Sequence, residues 1–374
     1  MDCPEKSEEY RRTMGETAAA LPRIVEAEDL EAAVELCYRE GWTDGLPVIP
    51  ATERPLRRII DYLGMKPEQV IGVVPPRRGV ATVEKVAINC VMAGCLPEYV
   101  PIVIAALHAM LEPEFNLEGV QTTTNPCAPL VMVSGPGVRK FGFNTKDCAL
   151  GHGSRANAAV GRAVRLILWN IGGGYPGSPC RTTHGHPGYY SYCIAEDPDA
   201  NPWEPLHVTR GFDAADTVVT VTAVDGPHSV ATGALVNSPE QVLTNIADSI
   251  ARLGSNNQYG GQLVVVLGPM AAKCLADGGY DKARVVGELV RRATRTVEEV
   301  LRNKNIDHMP AQELAELRSR KDAEPFHYIR AAEDVVLLTT GSWGAVGGYA
   351  AVCPGWGHFG GFTQSKRVQF PNGD

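Results

Sequence analysis

The chain reads as an α/β protein of two halves with mixed or parallel sheets. Three observations predict this. Short apolar runs of strand length alternate with segments of helical spacing. The 39 glycines and 27 prolines fall between those runs, where they mark tight connections rather than disorder. The hydrophobic share of 44% and charged share of 21% are those of an ordinary globular chain.

Taken in order, residues 1–25 read as an N-terminal arm. Asp29–Glu40 has helical spacing behind an aspartate suited to capping. The loop GWTDGLPVIPATERP carries Pro47, Pro50 and Pro55, which exclude regular helix. Its Asp44-Gly45 pair marks a turn. Glu53–Leu63 is helical again, and Val70–Val74 is a short buried strand. Thr82–Cys95 and Glu98–Leu111 read as two apolar helices broken at Pro97, with His108 as a satisfied core histidine in the second. Asn157–Asn170 is a buried helix of Ala, Val, Leu and Ile in which Arg162 and Arg165 stand out. Thr217–Val224 is a strand. Pro239–Leu253, Met270–Leu275 and Ala283–Leu301 are helices, and Val335–Thr340 is the last strand expected.

Two strands share a pattern. Leu130–Pro136 and Leu263–Pro269 both read L-V-x-V-x-G-P. This points to two related halves, although convergence on strand-turn chemistry explains a match of this length equally well. At 374 residues the chain suits two domains. The division runs as an arm over 1–25, an α/β domain over 26–228 and a second over 229–374.

Net charge of −8 argues against nucleic acid or an anionic membrane as partner. No apolar run reaches spanning length, and the charged start has no secretory h-region, so a cytoplasmic location is the expectation. The ten cysteines show no CxxC spacing. Most therefore read as reduced, buried small hydrophobes.

The densest chemistry lies between Gly151 and His207, which hold four of the nine histidines among many glycines. Glycine-rich backbone is costly to order and more often serves a binding surface than a core. In GHGSRAN, Ser154 or Asn157 can cap the following helix, and Arg155 adds a fork for phosphate, sulfate or carboxylate at the helix N-terminus. The bland alternative is a capped helix whose arginine pairs with a neighbouring carboxylate. In THGHPGYY, His184 and His186 titrate near neutrality and serve as base candidates. Glu196 or Glu204 tunes them, while Tyr189, Tyr190 and Trp203 wall the pocket. With Cys193 or His207, the two histidines are also conceivable zinc ligands. The PPRRG loop presents Arg77 and Arg78 to a substrate carboxylate or to solvent. A C-terminal stretch with Ser342, Trp343, Cys353, Trp356 and His358 reads as a lid. P-loop, GxSxG and Rossmann GxGxxG patterns are all absent.

Three blocks of the sequence resemble a known family: VEKVAINCVMAGCLPEYVPIVIAA, GHGSRANAAVGRAVRLILWNIGG and HPGYYSYCIAEDPDANPWEPLHVTRGF. The family consists of bacterial proteins mostly lacking assigned function, often encoded beside a smaller protein with a UGSC or CGSC motif. The resemblance spans roughly residues 40–300. One branch looks like the larger subunit of the aziridine-forming proteins of azinomycin and vazabitide biosynthesis. It implies a lyase in which an amine displaces sulfate within one amino-acid-like molecule, working with a small protein partner. The chain departs from the family in reading HPGYY where HPGKY is usual, so a lysine role there would be lost.

That chemistry suits the residues. It needs a base (His184, His186 or Glu204), with Tyr190 beside it, and positive potential on the departing anion, from Arg155 with Ser154 and Asn157. It also needs a carboxylate anchor, Arg77 or Arg78. No metal or redox cofactor is required. Two other readings compete. One is a non-catalytic scaffold of a thiol-redox pair using Cys95, Cys193 or Cys353. The other is a zinc hydrolase built on His184 and His186.

Overall fold

The computed structural model describes residues 24–233, 238–302, 309–320, 324–344 and 348–371. Most of the expected arm, and residues 345–347 of the expected lid, lie outside the described residues.

Twelve strands run through the described chain: β1 Val70–Val74, β2 Gly79–Thr82, β3 Ala128–Ser134, β4 Cys193–Ala195, β5 Val218–Val224, β6 His228–Gly233, β7 Leu263–Leu267, β8 Thr294–Arg295, β9 Phe326–His327, β10 Val335–Thr339, β11 Gly348–Cys353 and β12 Gln364–Arg367. The α-helices are α1 Leu30–Arg39, α2 Glu53–Leu63, α3 Val83–Met92, α4 Val100–Met110, α5 Leu117–Thr122, α6 Gly137–Lys140, α7 Arg155–Asn170, α8 Leu206–Thr209, α9 Pro239–Ile250, α10 Pro269–Asp277, α11 Lys282–Arg292, α12 Val297–Leu301 and α13 Ala311–Ser319. The fold is α/β with mixed sheets.

Local chemistry accounts for most helix starts. Asp29, Thr82, Ser154, Ser238 and Asp281 each accept a backbone N–H in the first turn of the helix that follows. Asn157–Asn170 therefore starts two residues earlier than expected, at Arg155. The helix expected over Ala283–Leu301 is broken at Ala293. There Thr294–Arg295 pairs with Phe326–His327, and Thr296 opens a new helix with a reciprocal capping box to Glu299. His108 is exposed on α4, so it is not the core histidine expected.

Two four-stranded sheets form the centre. Their orders are β12-β5-β3-β4 and β10-β7-β11-β6. In each, a central strand has one parallel neighbour (β4 on β3, β10 on β7) and one antiparallel neighbour (β5 on β3, β11 on β7). A fourth strand then pairs antiparallel on the outside, β12 on β5 and β6 on β11. The two L-V-x-V-x-G-P strands are the two central strands.

The fourth strands are exchanged. The chain runs β3, β4, β5 and then sends β6 into the second sheet; it runs β7, β10, β11 and then sends β12 back into the first. Equivalent order and direction, closed by a reciprocal exchange, is the pattern an internal duplication produces. A division at residue 228 therefore separates most of each sheet but not the last strand, which returns to the first. Two strands also lie beyond Val335–Thr339. The stretch expected as a lid contains β11, paired on both sides, and Cys353 at its end is fully buried.

The sheets stack face to face with helices outside. Alternation along each strand sorts the side chains. Leu130, Met132 and Ile194 of the first sheet meet Val264, Val266, Val336, Leu338 and Cys353 of the second. On the other face of the first sheet, Val131, Val133, Val219 and Val221 pack with Val86, Ile102, Val103, Val160 and Val164 of α3, α4 and α7. Beneath the second, Leu263, Val265 and Leu337 pack with Leu243, Ile246, Leu275 and Leu289 of α9, α10 and α11. The order of layers is helices, sheet, sheet, helices. At the crossing after β11 the backbones nearly touch: a Cβ on Gly355 would sit 1.6 Å from the Gln262 carbonyl oxygen.

Among the described residues no single helix is long and apolar enough to cross a membrane. One bent pair, Pro97–Met110 with Pro113–Thr122, passes only when both are joined across a 75° bend. Its apolar residues Ile102, Val103, Leu107 and Met110 are fully buried in the first core.

Met132 is fully buried between the sheets, so Met132→Ala leaves a cavity in the layer that joins the halves. We expect a loss of about 2–5 kcal/mol in denaturant unfolding, in a single transition for both halves. Two separate transitions would show that the sheets do not stabilise each other.

Candidate functional site

Helix α7 organises the site. Its inner face is apolar, while its outer face carries three arginines, each holding a different loop. Arg155 Nε donates to the Gly94 carbonyl at 2.9 Å. Arg162 makes a bidentate pair with Asp44 at 2.9 and 3.1 Å and also donates to the Leu46 and Pro47 carbonyls. Asp44 of the TDGLP turn is thus a buried anchor for its loop. Arg165 donates to the Gly174 carbonyl at 3.0 Å.

Arg165 is the informative member. It is largely enclosed, and burial pushes its guanidinium down from the usual range. Even so, a guanidinium stays charged at neutral pH. Among the described residues it has no ion-pair partner; beyond Gly174 it meets the Tyr189 ring, 5.7 Å from the ring centre. It opens on a shallow recess with enclosed room for about one water, lined also by Gln121, Cys127, Cys180 and Tyr189, so a larger anion would sit at its mouth. Gln121 donates to the Pro75 carbonyl at 2.6 Å, while its amide oxygen is buried without a hydrogen bond. A half-buried guanidinium without an ion-pair partner among the described residues is an arrangement that an anion accepting from Arg165 would complete, whereas the Gln121 amide oxygen calls for a donor.

Three glycine-rich stretches converge here. The PPRRG turn lies against Gly172–Gly174, where a Cβ on Gly174 would fall 2.4 Å from Gln121 Oε1. Arg77 sits over the Tyr175 ring at 5.5 Å and donates to the Ser178 carbonyl. The THGHPGYY stretch closes the other side. Tyr189 donates to the Cys127 carbonyl at 2.8 Å, Thr182 Oγ1 lies 3.3 Å from the same hydroxyl, and Thr183 N–H donates to the Thr124 carbonyl.

The two histidines separate. His184 is exposed on the loop beside the recess. His186 is half-buried between Tyr189 and Tyr192, and burial lowers its pKa. Its Nδ1 accepts the Gly188 N–H at 3.1 Å, so the neutral ring carries its proton on Nε2. Nε2 is buried without a well-formed hydrogen bond and faces the Val224 and Pro126 carbonyls. His186 thus caps its own turn and presents no free lone pair, which argues against the base role expected for it.

The other expected residues lie elsewhere. Ser154 and Asn157 form the start of α7: Asn157 is buried, accepts from Ser154 and the Asn144 N–H, and donates to the Asn144 and Ala149 carbonyls. Arg78 pairs with Glu118 in the open. Tyr190 is half-exposed. Trp203 donates to the Tyr280 carbonyl and packs against the second core, and the exposed Glu204 gives its carbonyl to Lys282 and Asn201. Glu196 is buried, accepting from Asn201 and the Leu206 N–H, and so tunes neither histidine. Arg155 is not paired with a carboxylate; it borders a separate cleft. Sequence reasoning missed Gln121, which carries no motif. It noticed Arg165 only as a charge in an apolar helix.

The alternatives find less support in the geometry. Cys193 and Cys353 are buried, and burial pushes their thiols up, Cys353 to about 12. His207 is buried at α8 with Nε2 turned to the Ala214 carbonyl. Among the described residues no three of His, Cys, Asp or Glu come together as a metal site would require. Comparison with family models gives no match, and comparison with curated proteins gives no significant one.

Behind His186, Asp225 occupies the turn where β5 gives way to β6. Its Oδ1 is buried and unpaired, and burial, partly offset by Arg252, pushes the carboxyl up to about 7. The unfolded chain loses this proton near pH 3.9, whereas the folded chain keeps it to about 7. Stability from this group is present at low pH and is lost as pH rises through that window. Urea unfolding of Asp225→Asn across pH 4–7 should show a shallower fall in stability than the native chain. An unchanged slope would place the pH dependence elsewhere.

Proposed function

We propose that this chain is a metal-free lyase that closes a small ring by expelling an anion, plausibly sulfate, from an amino-acid-like substrate, with Arg165 receiving the leaving group. The observation that carries the proposal is the half-buried Arg165 guanidinium, which has no carboxylate partner among the described residues and opens on a recess. The resemblance to aziridine-forming proteins agrees with it. So does the call for a fixed cation where negative charge develops.

In this reading the substrate amine attacks the neighbouring carbon that bears the sulfate. The C–N bond forms as the C–O bond breaks, and the electron pair leaves with the sulfate oxygen. The amine proton passes to a base. His184, exposed on the loop beside the recess, takes that part because the His186 ring is committed to its own turn. Arg77, packed over Tyr175 in the neighbouring turn, is placed to meet the substrate carboxylate. A shallow recess suits a compact leaving group at its mouth better than a whole substrate, whose body would lie outside. A cytoplasmic setting and a smaller protein subunit belong to the same proposal.

Sulfate release from 2-aminoethyl hydrogen sulfate, with and without the small partner, tests it. Arg165→Gln should lower turnover by about 10²-fold or more, the scale for losing one preorganised charge partner. Arg78→Gln should leave it near native. Release that survives Arg165→Gln in a folded variant would remove Arg165 from the reaction.

A further inference from the structure

A second recess lies at the opposite end of α7. It is a cleft of about 440 Å³ counted to its open mouth, between the C-terminus of α3, helix α2 and the start of α7. Arg58 and Arg155 border it; Ile49, Ile59, Leu96 and Cys95 supply much of the rest, and no acidic residue lines it. Ten residues separate Arg155 from Arg165, about 15 Å along the helix, so this cleft is not the recess described above.

The two cations differ from their neighbours. Arg57, next on α2, is paired with Glu53. Arg58 has no ion pair or hydrogen bond among the described residues. Arg155 spends only Nε, on the Gly94 carbonyl, which leaves the NH1 and NH2 edge of its fork unpaired. That bond also fixes the arginine in place. Gly94 is the left-handed residue that ends α3 (φ +84°), and a Cβ there would touch the end of Ile49 at 3.6 Å. Two exposed cations without counter-ions among the described residues, on an apolar cleft, are complementary to one kind of ligand: an anionic head on a short apolar body. A guanidinium fork matches a carboxylate in two parallel hydrogen bonds, and burial of the body against Ile49, Ile59 and Leu96 adds roughly 25 cal/mol per Å².

We propose that this cleft binds a small carboxylate with a short aliphatic or aromatic body, its head held by Arg155 and Arg58. The proposal is independent of the reaction assigned to Arg165. A fully polar anion gains nothing from the cleft's walls, and a neutral amide of the same shape loses the charge-assisted bonds.

Calorimetric titration of the full chain with hexanoate and hexanamide tests this. The expected result is one hexanoate per chain, with hexanamide at least tenfold weaker. Arg155→Gln should weaken hexanoate at least tenfold, whereas Arg57→Gln should leave it unchanged. Should Arg155→Gln unfold through loss of its bond to Gly94, Arg58→Gln carries the test, because its side chain makes no hydrogen bond or ion pair among the described residues. The proposal is overturned if hexanoate gives no binding up to about 10 mM, or if hexanamide binds equally well. It is also overturned if Arg165→Gln rather than the cleft variants abolishes binding, which would place the carboxylate in the other recess.

Discussion

Helix α7 is the constraint on which the rest of this molecule depends. Its apolar face seals the first sheet, and its charged face ties down three loops that have no regular structure of their own. Arg155, Arg162 and Arg165 all donate to loop backbone carbonyls, those of Gly94, Leu46, Pro47 and Gly174. Trp169 and Asn170 continue the series onto the Gly41 and Trp42 carbonyls. Only Arg162 is neutralised, by the buried Asp44. Breaking such a pair strands a charge and costs about 3–5 kcal/mol. Arg155 and Arg165 form no ion pair among the described residues, and each borders a recess. The helix thus secures loops and leaves positive potential where ligands can reach it.

The strand exchange gives this arrangement a firm base. The strand that follows β3-β4-β5 enters the second sheet and the strand that follows β7-β10-β11 enters the first, so the two sheets are tied by exchanged strands. The β5-to-β6 passage goes through Asp225-Gly226-Pro227, directly beside His186. Tyr192 donates there to the Asp225 carbonyl and reaches Cys353 of the other sheet at 3.4 Å. The loop that closes the Arg165 recess therefore rests on the joint between the sheets. Movement at that joint would be felt at the recess.

Much of the fold was legible because it is local. Caps at Asp29, Thr82 and Ser154, and apolar runs such as Leu263–Leu267, mark elements without reference to the rest of the chain. Elements that depend on distant partners were not legible. β12 is Gln-Ser-Lys-Arg, a polar edge with no apolar run, and it exists because β5 offers it a ladder. β11 hides in a glycine-aromatic stretch and is a strand because β6 and β7 flank it. The Thr296–Glu299 box has the spacing of a helix start, yet the sequence reads as one helix running through it from Ala283 to Leu301. For the site, sequence paired the glycine-rich stretches with Arg155, whereas the structure sets Arg165 beside them. Arg155 and Arg165 are alike in composition; what distinguishes them is Gly174, Gln121 and Tyr189, all brought up by tertiary packing. The role given to His186 failed for a reason no spacing reveals, since its Nδ1 is spent on Gly188.

The central claim is that Arg165 is an anion receptor rather than a structural arginine. Crystals soaked in selenate, with the anion located by its anomalous signal, test it most directly. The account predicts selenate in hydrogen-bond contact with Arg165, at the mouth of the recess beside Tyr189. An empty recess in crystals that hold selenate elsewhere, with Arg165 still bonded only to the Gly174 carbonyl, would contradict it.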